Sequence, residues 1–239
     1  IKAITSFITT GRAFIDSFSV FDFVFKLVMD CMKNIVSRRY YGKKIGMDAK
    51  TLDAIVFSWG RALRARKAYV MNHPKKIELT RKIISARPFK KIITFSATIA
   101  QAEKIGYGYV VHSGKTKKKN RMTIEEFSQI PTGVINTAKS LDEGADIKGL
   151  NVAIILSNSS SQTQKTQRLG RVIRYEEGKE AEIFTFVIKG TMEEGWYENS
   201  TAGKSYIEIT EDELDEILLG KESENLEKEG KEVGQMFRL

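Results

Sequence analysis

Within Thr163–Arg174 (TQKTQRLGRVIR), Gln167, Arg171 and Arg174 recur at i, i+4 and i+7, which on a helix is one face. Leu169 and Ile173 fall on another face and can anchor such a helix to a core. A guanidinium carries permanent charge and a planar fork of donors matched to phosphate oxygens. Two of them, with a glutamine one turn earlier, suit a polyphosphate. An ordinary basic surface helix satisfies the same spacing. Other chemistries have little to draw on. One cysteine, Cys31, excludes an internal disulfide or a Cys-rich zinc cluster, and two histidines offer almost no metal ligands.

A second set of polar groups follows short apolar runs. Ser96 and Thr98 come just after Ile92–Phe95, where either hydroxyl can simply cap the next helix. His112 opens the turn His112-Ser113-Gly114 and fits a nucleic-acid contact or a plain turn residue. Nothing makes it an acid or a base. Lys115–Arg121 is at minimum a solvated loop, with Lys117, Lys118 and Lys119 suited to tracking phosphates. Gly144 lets the backbone turn, and Asp146 reads locally as an Asx turn before Gly149.

Taken in order, these segments resemble a known family. Gln167–Arg174 (QRLGRVIR) matches the Q/H-R-x-G-R-x-x-R signature closing the second motor domain of superfamily 2 helicases. Residues 132–150 (TGVINTAKSLDEGADIKGL) are similar to the preceding motif of that domain, and Lys91–Thr98 (KIITFSAT) to its opening strand. The resemblance covers roughly residues 88–190, with a phage or bacterial DEAD/DEAH-like flavour. It implies that Arg171 and Arg174, with Gln167, act as arginine fingers on ATP, with Gly144 and Asp146 near the nucleotide. It also implies that Ser96, Thr98 and Thr137 touch the nucleic-acid backbone.

The elements that must position these groups divide the chain. Phe18, Phe21, Phe25, Met32 and Ile35 recur at helical spacing over about 18–38, followed by the basic cluster Arg38–Lys44, where Gly42 and Gly46 mark a turn. That cluster carries two tyrosines that can stack on bases or pin a charged loop. Asp48 caps a second helix through Tyr69, with Arg61, Arg64, Arg66 and Lys67 on its polar side. Pro74 starts a third, roughly 75–86, with Ile77, Ile83 and Ile84 inward. Residues 1–87 are thus expected to be a helical linker or insertion. From 88 to 219 the rhythm is βα, with strands at Ile92–Phe95, Tyr109–Val111, Gly133–Asn136, Val152–Leu156 and Glu182–Ile188. Thr123-x-x-Glu126 predicts a capping box before a helix at 124–129, Thr137 the start of another, and Thr191–Glu198 and Glu211–Leu218 two more. Residues 220–239 are expected to be a frayed polar tail. The expected fold class is α/β, a parallel-sheet RecA-like helicase C-terminal domain after a helical region.

Charge points to partners. Residues 1–122 carry a net +19 and residues 123–239 a net −10, within a total of +9. Such a split argues for a positive working face that meets nucleic acid, and the resemblance implies DNA, with RNA as the other option. A solvated surface with no partner is the bland alternative. The 41% hydrophobic and 29% charged composition is that of a globular protein. Charges at Asp22, Lys26 and Asp30 break the strongest apolar run, so no membrane span is expected, and the expected location is cytoplasmic. No G-K-S/T phosphate loop or Asp-Glu box is suitably placed. The resemblance implies that magnesium and most of the ATP contacts belong to a first motor domain upstream, and the abrupt opening at Ile1 is expected to mark a piece of a longer chain. The isolated piece is expected to be inactive. The competing readings are a non-catalytic nucleic-acid-binding module with a motor-like fold, and a structural domain that binds neither ligand.

Overall fold

The computed structural model describes residues 26, 29–31, 35–138, 147–157, 181–201, 206–219 and 234–238. The chain divides into two compact units, residues 1–69 and 70–239.

In the first unit the described residues are helical. Helix α1 (Ile35–Ile45) runs straight through the basic cluster that was expected to be a turn. Gly42 lies inside this helix because a Cβ there would stand 2.8 Å from the Met47 carbonyl oxygen. Gly46, with φ of +70°, needs glycine for its backbone angle. Tyr41 donates to Asp30 across 3.2 Å, and the Tyr40 and Tyr41 rings meet edge-on at 5.2 Å. Asp48 caps α2 (Ala49–Met71), its carboxylate accepting from the Thr51 amide at 2.9 Å. Leu52 and Val56 on this helix are fully buried.

The second unit is a seven-stranded, wholly parallel sheet in the order β2-β3-β1-β4-β5-β7-β6. Its strands are β1 (Lys91–Ser96), β2 (Tyr109–His112), β3 (Gly133–Ala138), β4 (Val152–Ile155), β5 (Glu182–Val187), β6 (Tyr206–Ile209) and β7 (Gly234–Arg238). Between them come α4 (Ile99–Ile105), α5 (Lys117–Gln129), α6 (Met192–Thr201) and α7 (Glu211–Leu218). Alternation along the strands makes two cores. Ile92, Ile154, Phe184 and Phe186 face Leu79, Ile83 and Ile84 of α3 (Pro74–Ala86), Ile105 of α4 and Leu214 of α7. Ile93, Val111, Ile135 and Ala153 face Phe127 of α5.

Several expectations change. Helix α3 starts at Pro74 behind a His73 cap, but it packs into the core of the sheet rather than extending the helices before it. Ile77 is only half-buried; Leu79 joins Ile83 and Ile84 inside. The lysine run is no loop: Thr116 caps α5, accepting from the Lys119 amide, so Lys117, Lys118 and Lys119 form its first turn. Thr123 and Glu126 lie mid-helix, and no capping box forms there. Thr137 belongs to β3 instead of opening a helix. The expected tail contains β7, which inserts between β5 and β6. The arginine segment (Gln167, Arg171, Arg174), Gly144 and Asp146 lie outside the described residues. Among the described residues no helix is long and apolar enough to cross a membrane.

Candidate nucleic-acid interface

Strand register decides what meets at the carboxyl edge of the sheet. Ser96 on β1 pairs with Ala138 on β3, and so does His112 on β2, while Phe95 pairs with Thr137 and with Ile155 of β4. Ser96 and His112 therefore stand level with Ala138 on one face of the sheet, while Thr137 lies one residue back on the other face, with the turns at Thr98 and Gly114 just beyond. In parallel α/β sheets this edge gathers ligands.

Their side chains are differently engaged. Thr98 caps α4, accepting from the Gln101 amide at 3.2 Å and donating to the Asn72 side chain at 2.6 Å. Thr137 is buried and donates its only hydroxyl proton to the Thr94 carbonyl at 2.8 Å. It has no proton left for a phosphate. Ser96 is also buried, and its hydroxyl oxygen has no hydrogen-bond partner among the described residues. His112 Nδ1 accepts from the Gly114 amide at 3.1 Å, which assigns the ring proton to Nε2, 3.6 Å from a Glu103 oxygen. A Cβ on Gly114 would sit 2.9 Å from that same Nδ1, so glycine permits the turn. The histidine is a turn residue in this arrangement.

Exposed charge lies on two helices. Lys117, Lys118 and Lys119 are all exposed, with no acidic side chain in the first turn of α5. Three ammonium groups at the positive end of a helix repel its dipole, an arrangement that favours an anionic partner. Lys115 instead donates to the Val110 carbonyl at 2.6 Å. In the first unit, Arg61, Arg64, Arg66 and Lys67 are all exposed on α2.

A polar cluster that the sequence reading missed sits at the same carboxyl edge. Lys76 and Glu193 are fully buried, and the Lys76 Nζ donates to both carboxylate oxygens at 2.6 and 2.7 Å. Burial pushes the Lys76 pKa down, and the Glu193 charge opposes that shift. Lys76 also reaches the Ser157 hydroxyl at 3.4 Å, and Ser157 donates to the Met71 carbonyl at 2.6 Å. The Ile188 amide donates to Glu193 at 3.3 Å. One signal could have exposed Lys76: it stands at i of an i, i+3, i+4, i+7 seam completed by Leu79, Thr80 and Ile83, all buried.

In the strand order β2 lies beyond β3 on one side of β1 and β5 lies beside β4 on the other, so the order reverses between β1 and β4, the kind of place where ligands lodge in open α/β sheets. At the carboxyl edge of β4 and β5, Lys76 bonds both Glu193 and Ser157. Among the described residues no group of three His, Cys, Asp or Glu could hold a metal ion.

Residues 75–176 match the family described as the helicase conserved C-terminal domain. The match begins inside α3, in keeping with that helix packing on the sheet. The chain is 29% identical over 151 residues to a DNA 3'-5' translocase XPB2 of Sulfurisphaera tokodaii, covering 62% of this chain and 33% of the relative. It is 26% identical over 148 residues to a putative ATP-dependent RNA helicase MJ1505 of Methanocaldococcus jannaschii, covering 54% and 18%. The chain thus spans a third or less of the curated relatives it matches. Both are archaeal, and neither bears on a phage or bacterial flavour. Among solved structures, a Sulfolobus solfataricus SWI2/SNF2 ATPase core in complex with dsDNA is similar at 17% identity and a TM-score of 0.46, covering 82% of this chain and 42% of that one. With its parallel sheet and preceding helices, the chain has a RecA-like α/β fold that matches the helicase conserved C-terminal domain over residues 75–176.

Proposed function

We propose that this chain is the second motor domain of an ATP-driven nucleic-acid translocase or helicase acting on DNA, with ATP as substrate and a first motor domain of the same polypeptide as partner. What supports the reading is the family match over residues 75–176, a segment whose sequence holds three helicase-like motifs in family order and whose described strands are parallel. The two DNA-facing roles differ in kind. Lys117, Lys118 and Lys119 grip phosphates, whereas Thr98 and His112 hold the turns that shape the edge. Ser96 and Thr137 support that edge from within. Such a surface grips a backbone without reading bases, as a translocating motor requires. Arg61, Arg64 and Lys67 supply a further basic strip on α2.

Arg171 and Arg174, with Gln167, are assigned to the transferred phosphoryl group of ATP, and Gly144 and Asp146 to the nucleotide's surroundings. Positioned cations there stabilise charge that develops only in the transition state. In the full-length protein, Arg171→Ala and Arg174→Ala should each lower DNA-stimulated ATP hydrolysis about a thousandfold or more while the fold is kept. Turnover near that of the unmodified protein in both variants refutes the assignment and favours a nucleic-acid-binding module without catalysis.

A further inference from the structure

We infer that the distal half of α2 docks in the major groove of B-form duplex DNA, a proposal that rests on nucleic acid being the ligand of the basic half of the chain. Helix α2 is amphipathic in an unusual way. Leu52, Val56, Trp59 and Leu63 form its buried or half-buried seam. Directly opposite, the crown is built from one cation and small residues. At about 100° per residue, Ala54, Ser58, Ala65 and Ala68 all lie within about 60° of Arg61. All of them are exposed.

The remaining cations bracket that crown. Arg64 and Lys67 lie about 60° and 120° to one side, and Arg66 about 140° to the other. Among the described residues Arg61, Arg64 and Arg66 pair with no carboxylate, and no acidic residue occurs between Asp53 and Met71. Exposed rings end the stretch, Phe57 at 49% and Tyr69 at 67% exposure.

This pattern selects one partner. A major groove about 12 Å wide admits an α-helix between two phosphate rails. Small crown residues let the helix backbone sink toward the groove floor, and cations on both flanks then reach both rails. A single strand offers one rail and needs no small crown. A duplex of RNA has a deep, narrow major groove that excludes the helix. The span from Phe57 to Tyr69 is about 18 Å, enough to cross the groove. Charge complementarity favours the same choice, since these residues lie in the half of the chain that is net +19.

The test uses the 239-residue chain and labelled probes about two helical turns long. These are duplex DNA of arbitrary sequence, the matched single strand and the equivalent RNA duplex. Ala65→Leu adds bulk to the crown without altering charge or helix propensity. It should weaken duplex DNA binding about tenfold and leave single-strand affinity unchanged. Arg66→Gln and Lys67→Gln, one on each flank, should each make the duplex salt slope less negative by about 0.9, additively. Duplex binding insensitive to Ala65→Leu overturns the groove proposal alone, as does an RNA duplex bound as tightly as DNA. Binding to none of the probes removes the nucleic-acid reading together with it.

Discussion

Replacing Lys117, Lys118 and Lys119 together by glutamine should stabilise the fold and weaken its grip on nucleic acid. Glutamine matches lysine in helix propensity, so the change isolates charge. All three ammonium groups sit in the first turn of α5, exposed, with no acid nearby in that turn. Each like charge at a helix N-terminus costs about 0.3–1 kcal/mol at low ionic strength. Their exposure places them at the lower end, so removing all three is worth about 1 kcal/mol, or about 2–4 °C in Tm for a chain of this size. Near 1 M salt, where screening acts over about 3 Å, the gain should vanish. Binding should move the opposite way. If each lysine meets one phosphate of a single strand, the slope of log affinity against log salt becomes less negative by about 2 in total. Thermal melts and anisotropy titrations at several salt concentrations measure both quantities on one preparation. An unchanged salt slope with a raised melting temperature would mean that the lysines are frustrated without serving a ligand. A lowered melting temperature at low salt would refute the dipole reasoning itself.

Two further outcomes follow from the second unit. Lys76→Met leaves Glu193 buried and unpaired and should cost about 3–5 kcal/mol in urea unfolding, whereas Lys76→Met with Glu193→Met should recover most of that loss; equal loss in both would show that the pair itself stabilises. Glu213 of α7 accepts from the backbone and hydroxyl of Thr210, which holds its carboxyl below the usual range. The cap therefore contributes fully above the unfolded carboxylate pKa and is lost as pH falls through the lower folded value. Amide-exchange protection in α7, measured against the intrinsic rate at each pH, should fall on acidification past that range, and Glu213→Gln should flatten the dependence.

The buried strands were legible because a strand covered on both faces must be apolar throughout. Ile92–Phe95, Val152–Leu156 and Glu182–Ile188 announce themselves, and so does α3 through Pro74. Failures came where two local signals compete. Thr123-x-x-Glu126 has better capping-box spacing than Thr116, yet lysines extend a helix well, and the true cap stands directly before Lys117, Lys118 and Lys119. Gly42 was read as a breaker, although its missing side chain serves a close approach inside α1. Strand β7 is only five residues long, and its membership depends on pairing with residues some 25–50 positions away. No local pattern encodes that. The cluster of Lys76, Ser157 and Glu193 is non-local in the same way. The candidate interface was visible as hydroxyls and histidine at strand ends, but which of their protons are already committed emerges only from the packed edge.

The insertion of β7 has a consequence for the order of assembly. Among the described residues β6 pairs with no strand except β7, so residues 206–209 cannot join the sheet until residues 234–238 have done so. The same region has a second fastener, because Glu211 and Asp215 of α7 pair with Lys75 and Lys82 of α3. One tie is a backbone ladder indifferent to salt, the other an exposed electrostatic seam that salt loosens. Ile209 and Leu214 add a third tie by their burial in the core, so residues 206–219 and β7 should come away from the sheet together. Ionic strength tunes how readily they do so, in the same range over which nucleic acid would be gained and released.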